Sequence, residues 1–133
     1  MATVEDVLRD ALGHLGVIDA GEAIEADDAR DGIYALNNMM RRWEANGIAL
    51  GWADVIAVAD EAPLPPEALE TVGANLAVRL RSKYQVAIAP DVIQMATDGL
   101  ALLRRDVLKT MDMTQRTGLT RPGWYDYRTD TWH

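Results

Sequence analysis

The sequence predicts an all-α protein: a four-helix bundle-like body, a short irregular or hairpin insertion, and an extended C-terminal arm. Three observations carry that expectation. Apolar residues recur every three or four positions in four separate stretches, the period of a helix with one buried face. Most of those stretches begin or end on a residue type suited to that terminus. The last thirteen residues, R-P-G-W-Y-D-Y-R-T-D-T-W-H, have no period yet hold four of the eight aromatic residues.

The first helix is expected over about 3–15. Thr3 stands at the cap position with Asp6 three residues on, and Val4, Val7, Leu8, Ala11, Leu12 and Leu15 follow at helical spacing. Glu5 and Asp6 lie in the first turn, where the helix dipole favours negative charge, and Gly16 suits the position just past the end. A second helix is expected over about 27–46, with Ala29, Ile33, Leu36, Met40 and Trp43 on one stripe and Gly47 after it. Residues 48–62 lose the helical period, and V-I-A-V at 55–58 is β-branched enough for a short strand or half a hairpin.

P-L-P-P-E then marks a firm start for a third helix over about 66–84, since proline and Glu67 both suit a first turn. Leu69, Val72, Leu76, Leu80 and Tyr84 give its apolar face. Pro90 and Asp91 open a fourth helix over about 90–111, striped by Val92 or Ile93, Ala96, Leu100, Leu103, Val107 and Met111. Gly99 inside that stripe points to a close helix–helix contact. Leu36, Met40, Trp43, Leu76, Leu80, Leu100 and Leu103 are the expected core, with Met39 a gap filler. The chain divides into a helical body, 1–113, and a docking arm, 114–133.

With 133 residues the chain fits one domain able to stand without staples, and it has no cysteine, which removes disulfides, zinc–thiolate sites and thiol nucleophiles together. Its first residues are acidic where a signal peptide is basic, and no run of about 18 uncharged apolar residues exists, so a soluble protein made in a cytoplasm is expected, with no membrane contact. The net charge of −8 is unevenly laid out. Residues 1–70 hold fifteen acids and four bases, a net of −11; residues 71–133 hold six acids and nine bases, a net of +3. Such polarity suits head-to-tail contact between copies or two different partners, beside the plainer reading of clustered surface charge. Nine dispersed bases argue against a broad phosphate-binding surface.

Candidates for chemistry are thin. Asp27, Asp28 and Asp31 lack the spaced ligands of a calcium loop and open a helix, where acids serve the dipole, so no metal is expected. His14 closes a helix and His133 ends the chain, neither with a nucleophile beside it in sequence. G-H-L-G at 13–16 closes a helix instead of opening one, so it is no phosphate loop. Asn37, Asn38, Arg41 and Arg42 give the set a DNA-reading helix would want, in a strongly acidic setting. A small carboxylate hydrolase would instead show a pocket holding an acid of raised pKa. The arm is the strongest candidate. Trp124, Tyr125, Tyr127 and Trp132 are the residue types that anchor interfaces, and Arg121 and Arg128 add bidentate or stacking contacts. The alternative is an arm that folds back to complete its own core.

A family resemblance joins these observations. L-R-D-A-L-G-H-L-G-V-I-D-A-G-E followed by Y-A-L-N-N-M-M-R-R-W-E-A-N-G resembles the tail accessory factors of short-tailed bacteriophages, which are head-completion or head-to-tail adaptors. Leu12, Leu15, Gly16, Val17, Ile18, Gly21, Glu22, Leu36, Asn37, Met40, Trp43 and Gly47 carry the likeness, and Leu64, Pro65, Leu69, Asn75, Leu76 and Ala77 extend it. The resemblance implies a non-enzymatic virion protein without cofactors at the head–tail junction. Copies would dock beneath the portal ring after packaging, form a ring of their own (a dodecamer), extend the DNA channel without reading its sequence, and offer tail or nozzle proteins a platform. The family's C-terminal segment grips the portal, a part the aromatic arm would play. In the family the segment matching 48–62 is often a longer hairpin-like insertion.

Overall fold

A computed structural model describes residues 2–19, 21–118, 125–126 and 131–132, with side chains described for 2–19 and 21–109. Four helices make the body: α1, Val4–His14; α2, Ala26–Ala45; α3, Leu69–Tyr84, entered through a 3-10 turn at Pro66–Ala68; and α4, Pro90–Gly118. Two residue pairs, β1 (Tyr125–Asp126) and β2 (Thr131–Trp132), run antiparallel, with Tyr125 opposite Trp132.

The start of α1 follows from its first four residues. The Thr3 hydroxyl accepts from the Asp6 N–H at 3.3 Å, and the Asp6 carboxylate accepts from the Thr3 N–H at 3.0 Å. This reciprocal pair satisfies two donors at once. The next two free N–H groups of the helix, on Val4 and Glu5, donate at 2.9 Å to the carbonyls of Asp60 and Val58. The insertion therefore completes the cap of α1, helped by the Ala62 N–H donating to Ala2 at 3.0 Å.

That bond set explains why V-I-A-V is not a strand, a correction to the expectation from its β-branched residues. Its Val58 carbonyl belongs to α1, and the N–H groups of Ile56 and Ala57 donate to the Asp60 carboxylate at 3.0 and 2.9 Å. Val55 is held from α2: Asn37 donates to its carbonyl at 2.9 Å and accepts from its N–H at 3.1 Å. The same Asn37 oxygen accepts from the Trp52 indole at 3.2 Å. One side chain thus fixes both ends of the turn that carries the insertion inward. Replacement Asn37→Leu strands these three partners, of which nearby solvent can recover part, so a loss of about 1–2 kcal/mol is expected. Denaturant unfolding followed by tryptophan fluorescence measures it.

Helix α3 is the axis of the body. It touches each of the other three helices, and α1 also touches α2. Val72, Leu76, Ala77 and Leu80 join the main core with Val4, Val7, Leu8, Ala11 and Leu12 of α1 and Leu36, Met39, Met40 and Trp43 of α2. Ala74 faces away into a smaller cluster with Val92 and Ala96 of α4. Of the expected core, Leu100 is only half-buried; the others are buried.

Helices α3 and α4 run antiparallel in a register set by two side chains. Asn75 donates to its own helix at Thr71 (2.8 Å) and across to the Ala96 carbonyl at 3.1 Å. Thr71 packs onto Gly99, where an added Cβ would stand 2.9 Å from the threonine methyl. The predicted close contact at Gly99 is therefore present, and a side chain there would wedge the helices apart. Helix α4 also departs from the expected end at about 111: it continues to Gly118, so residues 114–118, read as arm, are helical. Val107 is the last described α4 side chain packed on the core. The helix therefore runs on for about 16 Å past that residue at ~1.5 Å per residue.

Candidate functional site

The sites suggested by composition resolve mostly into structure. Asp27 pairs with Arg30 at 2.9 Å, Asp28 accepts from the Tyr84 hydroxyl at 2.7 Å, and Asp31 pairs with Lys83. Asp28 and Asp31 tie the start of α2 to the end of α3, while Asp27 pairs within α2, and among the described residues no cluster of three groups suits a metal ion. Partial burial, reinforced by the Asp28 carboxylate, pushes the Tyr84 phenol above its ordinary range. Asp31 and Asp54 are held below the usual carboxylate range by hydrogen bonds from Lys83 and Arg41, and Asp60 by the Ala57 and Ile56 N–H groups. Their folded values lie below the unfolded ones, so the stability they add is present above the ordinary carboxylate value of 3.8 and is lost as pH falls through the folded values.

The presumed DNA-reading set is largely committed. Asn37 spends its amide on the insertion, and Arg41 forms an ion pair with Asp54. A base-reading helix needs those groups free. Their work is to hold residues 52–55 against α2.

A groove does form between α1 and α4, over the first turns of α3. Val7, Leu69 and Met95 give it an apolar floor, Asp6, Asp10 and Glu70 an acidic rim, and it encloses about 450 Å³. Asp6, Asp10 and His14 are one turn apart along α1, which places the three on one edge. The Asp10 carboxylate lies over Gly73 of α3, and the His14 Nε2 atom is 3.5 Å from it. That nitrogen is buried and has no hydrogen-bond partner. Partial burial pushes Asp10 up, against the pull of His14, and the Glu70 charge adds to the rise.

The sign of this shift makes a test. Because Asp10 binds its proton more tightly folded than unfolded, it favours folding below the ordinary carboxylate value of 3.8, and that favour is lost as pH rises through the folded value. Asp10→Asn is therefore expected to raise the melting temperature at pH 7 by a degree or two, with the difference vanishing below about pH 3. The carboxyl is half exposed, so screening keeps the effect to under ~1 kcal/mol.

Family-like positions turn out to hold the frame. Asn37 clamps the insertion, Asn75 bridges α3 to α4, Gly16 turns the chain out of α1 with φ +70°, and Leu36, Met40, Trp43 and Leu76 fill the core. The profile of the P22 tail accessory factor family matches residues 1–126. The chain belongs to that family. It is thus a bacteriophage tail component, an all-α one, with a place in the virion. A search of curated proteins finds no match. Among the described residues no helix is long and apolar enough to cross a membrane.

For this tail accessory factor the arm was the predicted contact. Arg121, Trp124, Tyr127 and Arg128 lie outside the described residues, as does His133. Tyr125 and Trp132 are described in their backbone, which pairs them across the short β1–β2 ladder. Sequence reasoning missed the Asp10–His14 groove. Its only advance signal is the run Asp6, Asp10, His14 at helical spacing, which resembles ordinary helix surface until α3 and α4 are placed beside it.

Proposed function

We propose that this tail accessory factor is a head-to-tail adaptor, a structural and non-enzymatic part. It docks on the portal ring after DNA packaging, extends the channel and gives tail or nozzle proteins their platform at the head–tail junction. In this reading copies sit side by side in a ring of twelve beneath the portal. DNA passes without being read in sequence, as the acidic balance of residues 1–70 favours.

The observation that carries the reading is the family match over 1–126, taken with a last helix that continues past Val107, its last described core side chain, to Gly118, close in sequence to the aromatic terminus. Residues 1–113 act as the body and 114–133 as the docking arm. Trp124, Tyr125, Tyr127 and Trp132 are the anchors and Arg121 and Arg128 orient them, because large rigid aromatics offset the ordering cost of a docking segment. Removing residues 114–133 tests it: the body stays folded and no longer attaches to its portal. Attachment that survives the cut refutes the arm's role.

A further inference from the structure

We propose that the groove between α1 and α4 receives the outward stripe Ala101, Arg104, Arg105 and Leu108 of α4 from a second copy of this chain. The inference rests on the adaptor reading above, in which copies sit side by side, and it names the faces that meet.

Among the described residues no lysine or arginine lines the groove, and His14 is its one basic side chain. Asp6, Asp10 and Glu70 crowd one rim, while the five ion pairs among the described residues occupy other places or use His14. Partial burial raises Asp10 against the pull of His14, with the Glu70 charge adding to the rise, and the His14 Nε2 3.5 Å away is buried without a hydrogen-bond partner. A guanidinium entering there would relieve both carboxylates, since its planar fork can donate to two acceptors at once. The floor of Val7, Leu69 and Met95 asks in turn for an apolar side chain next to that charge.

The chain carries the matching surface on its own α4. Positions 101, 104, 105 and 108 are spaced i, i+3, i+4 and i+7, so they form one face. All four are exposed, and Leu108 is 63 % exposed although it is a large apolar residue. Two arginines and a leucine within two helical turns present charge and apolar surface together. The stripe spans about 10 Å, enough to cover the Asp6–Asp10 row, which is about 6 Å long at ~1.5 Å per residue.

Geometry forbids a copy from filling its own groove. At about 100° per residue, Arg104 points roughly 180° around α4 from Met95, which lines the groove. Arg105 stands only about 80° around from Met95 but about 15 Å farther along α4, so the stripe and the groove are separate surfaces. A contact joining them is therefore heterologous, and repeating it carries the chain forward around a ring or along a file. The opposite charges of residues 1–70 and 71–133, −11 and +3, have the same polarity.

The absence of cysteine gives a clean test. Asp10→Cys and Arg105→Cys are made as separate full-length proteins, confirmed helical by circular dichroism, mixed at high concentration and oxidised mildly. The mixed disulfide dimer is expected at least tenfold above that formed by Ser82→Cys with Arg105→Cys, because Ser82 lies at the far end of α3. Adding Arg104→Glu to the Arg105→Cys protein should bring the yield down to that control. Equal yields in the two mixtures, or a yield unmoved by Arg104→Glu, overturn the proposal. Equal yields from a chain that still attaches to its portal would refute this contact and leave the adaptor reading standing; a specific dimer from a chain that never attaches would do the reverse.

Discussion

Leu76→Ala is expected to cost about 3 kcal/mol of unfolding free energy and to lower the melting temperature by about 10 °C. Leu76 is fully buried in α3, which touches each of the other three helices. Truncating it removes apolar surface from the main core, where residues of α1 and α2 meet those of α3. The void cannot collapse easily, because α3 is held on both sides: Asn75, next in sequence, is bonded to the Ala96 carbonyl, and Gly73 lies under Asp10. Rigid walls keep the cavity open, and the cost sits with the cavity as much as with lost transfer energy. Leu102→Ala is the contrast. That leucine is 50 % exposed on α4, and its loss should cost well under 1 kcal/mol. Thermal melts by circular dichroism separate the two. A similar small shift from both would mean that α3 does not hold the body together.

Local signals accounted for much of this architecture. Thr3 with Asp6, Gly16, Gly47 and the prolines at 66 and 90 mark helix ends through backbone chemistry that acts within a few residues, and the ends lie where those residues stand. The insertion was not legible for the opposite reason. The β-branched run at 55–58 has strand propensity, but its backbone partners are Asn37, Asp60 and the first turn of α1, the last more than fifty residues away. Propensity yields to such tertiary hydrogen bonds. The overrun of α4 has a third cause. M-D-M-T-Q-R-T-G offers no apolar stripe, so periodicity stops, yet it contains no breaker before Gly118 and the helix continues. The groove failed differently again: Asp10, Glu70 and Met95 become neighbours only after three helices pack.

The register of α4 also decides what deletion of the arm should do. Removing residues 114–133 is expected to abolish attachment to the portal while shifting the melting temperature by no more than about 3 °C. The packing argument is specific. Leu103 and Val107 are the last described α4 side chains in the core, so a chain ending at 113 keeps both with more than a turn of helix beyond them. What it loses are helical residues 114–118 and the terminus that follows. Removing the last turn of a helix by itself costs a few tenths of a kcal/mol, because helix ends contribute little. Attachment should respond on another scale. Two tryptophans and two tyrosines are of the type whose truncation typically costs 2 kcal/mol or more each, and losing several together weakens binding beyond detection. Co-sedimentation of the truncated chain with its portal, beside a thermal melt of the same sample, reads both quantities. A large drop in melting temperature would show that the aromatic terminus completes the body's own core and would refute its docking role.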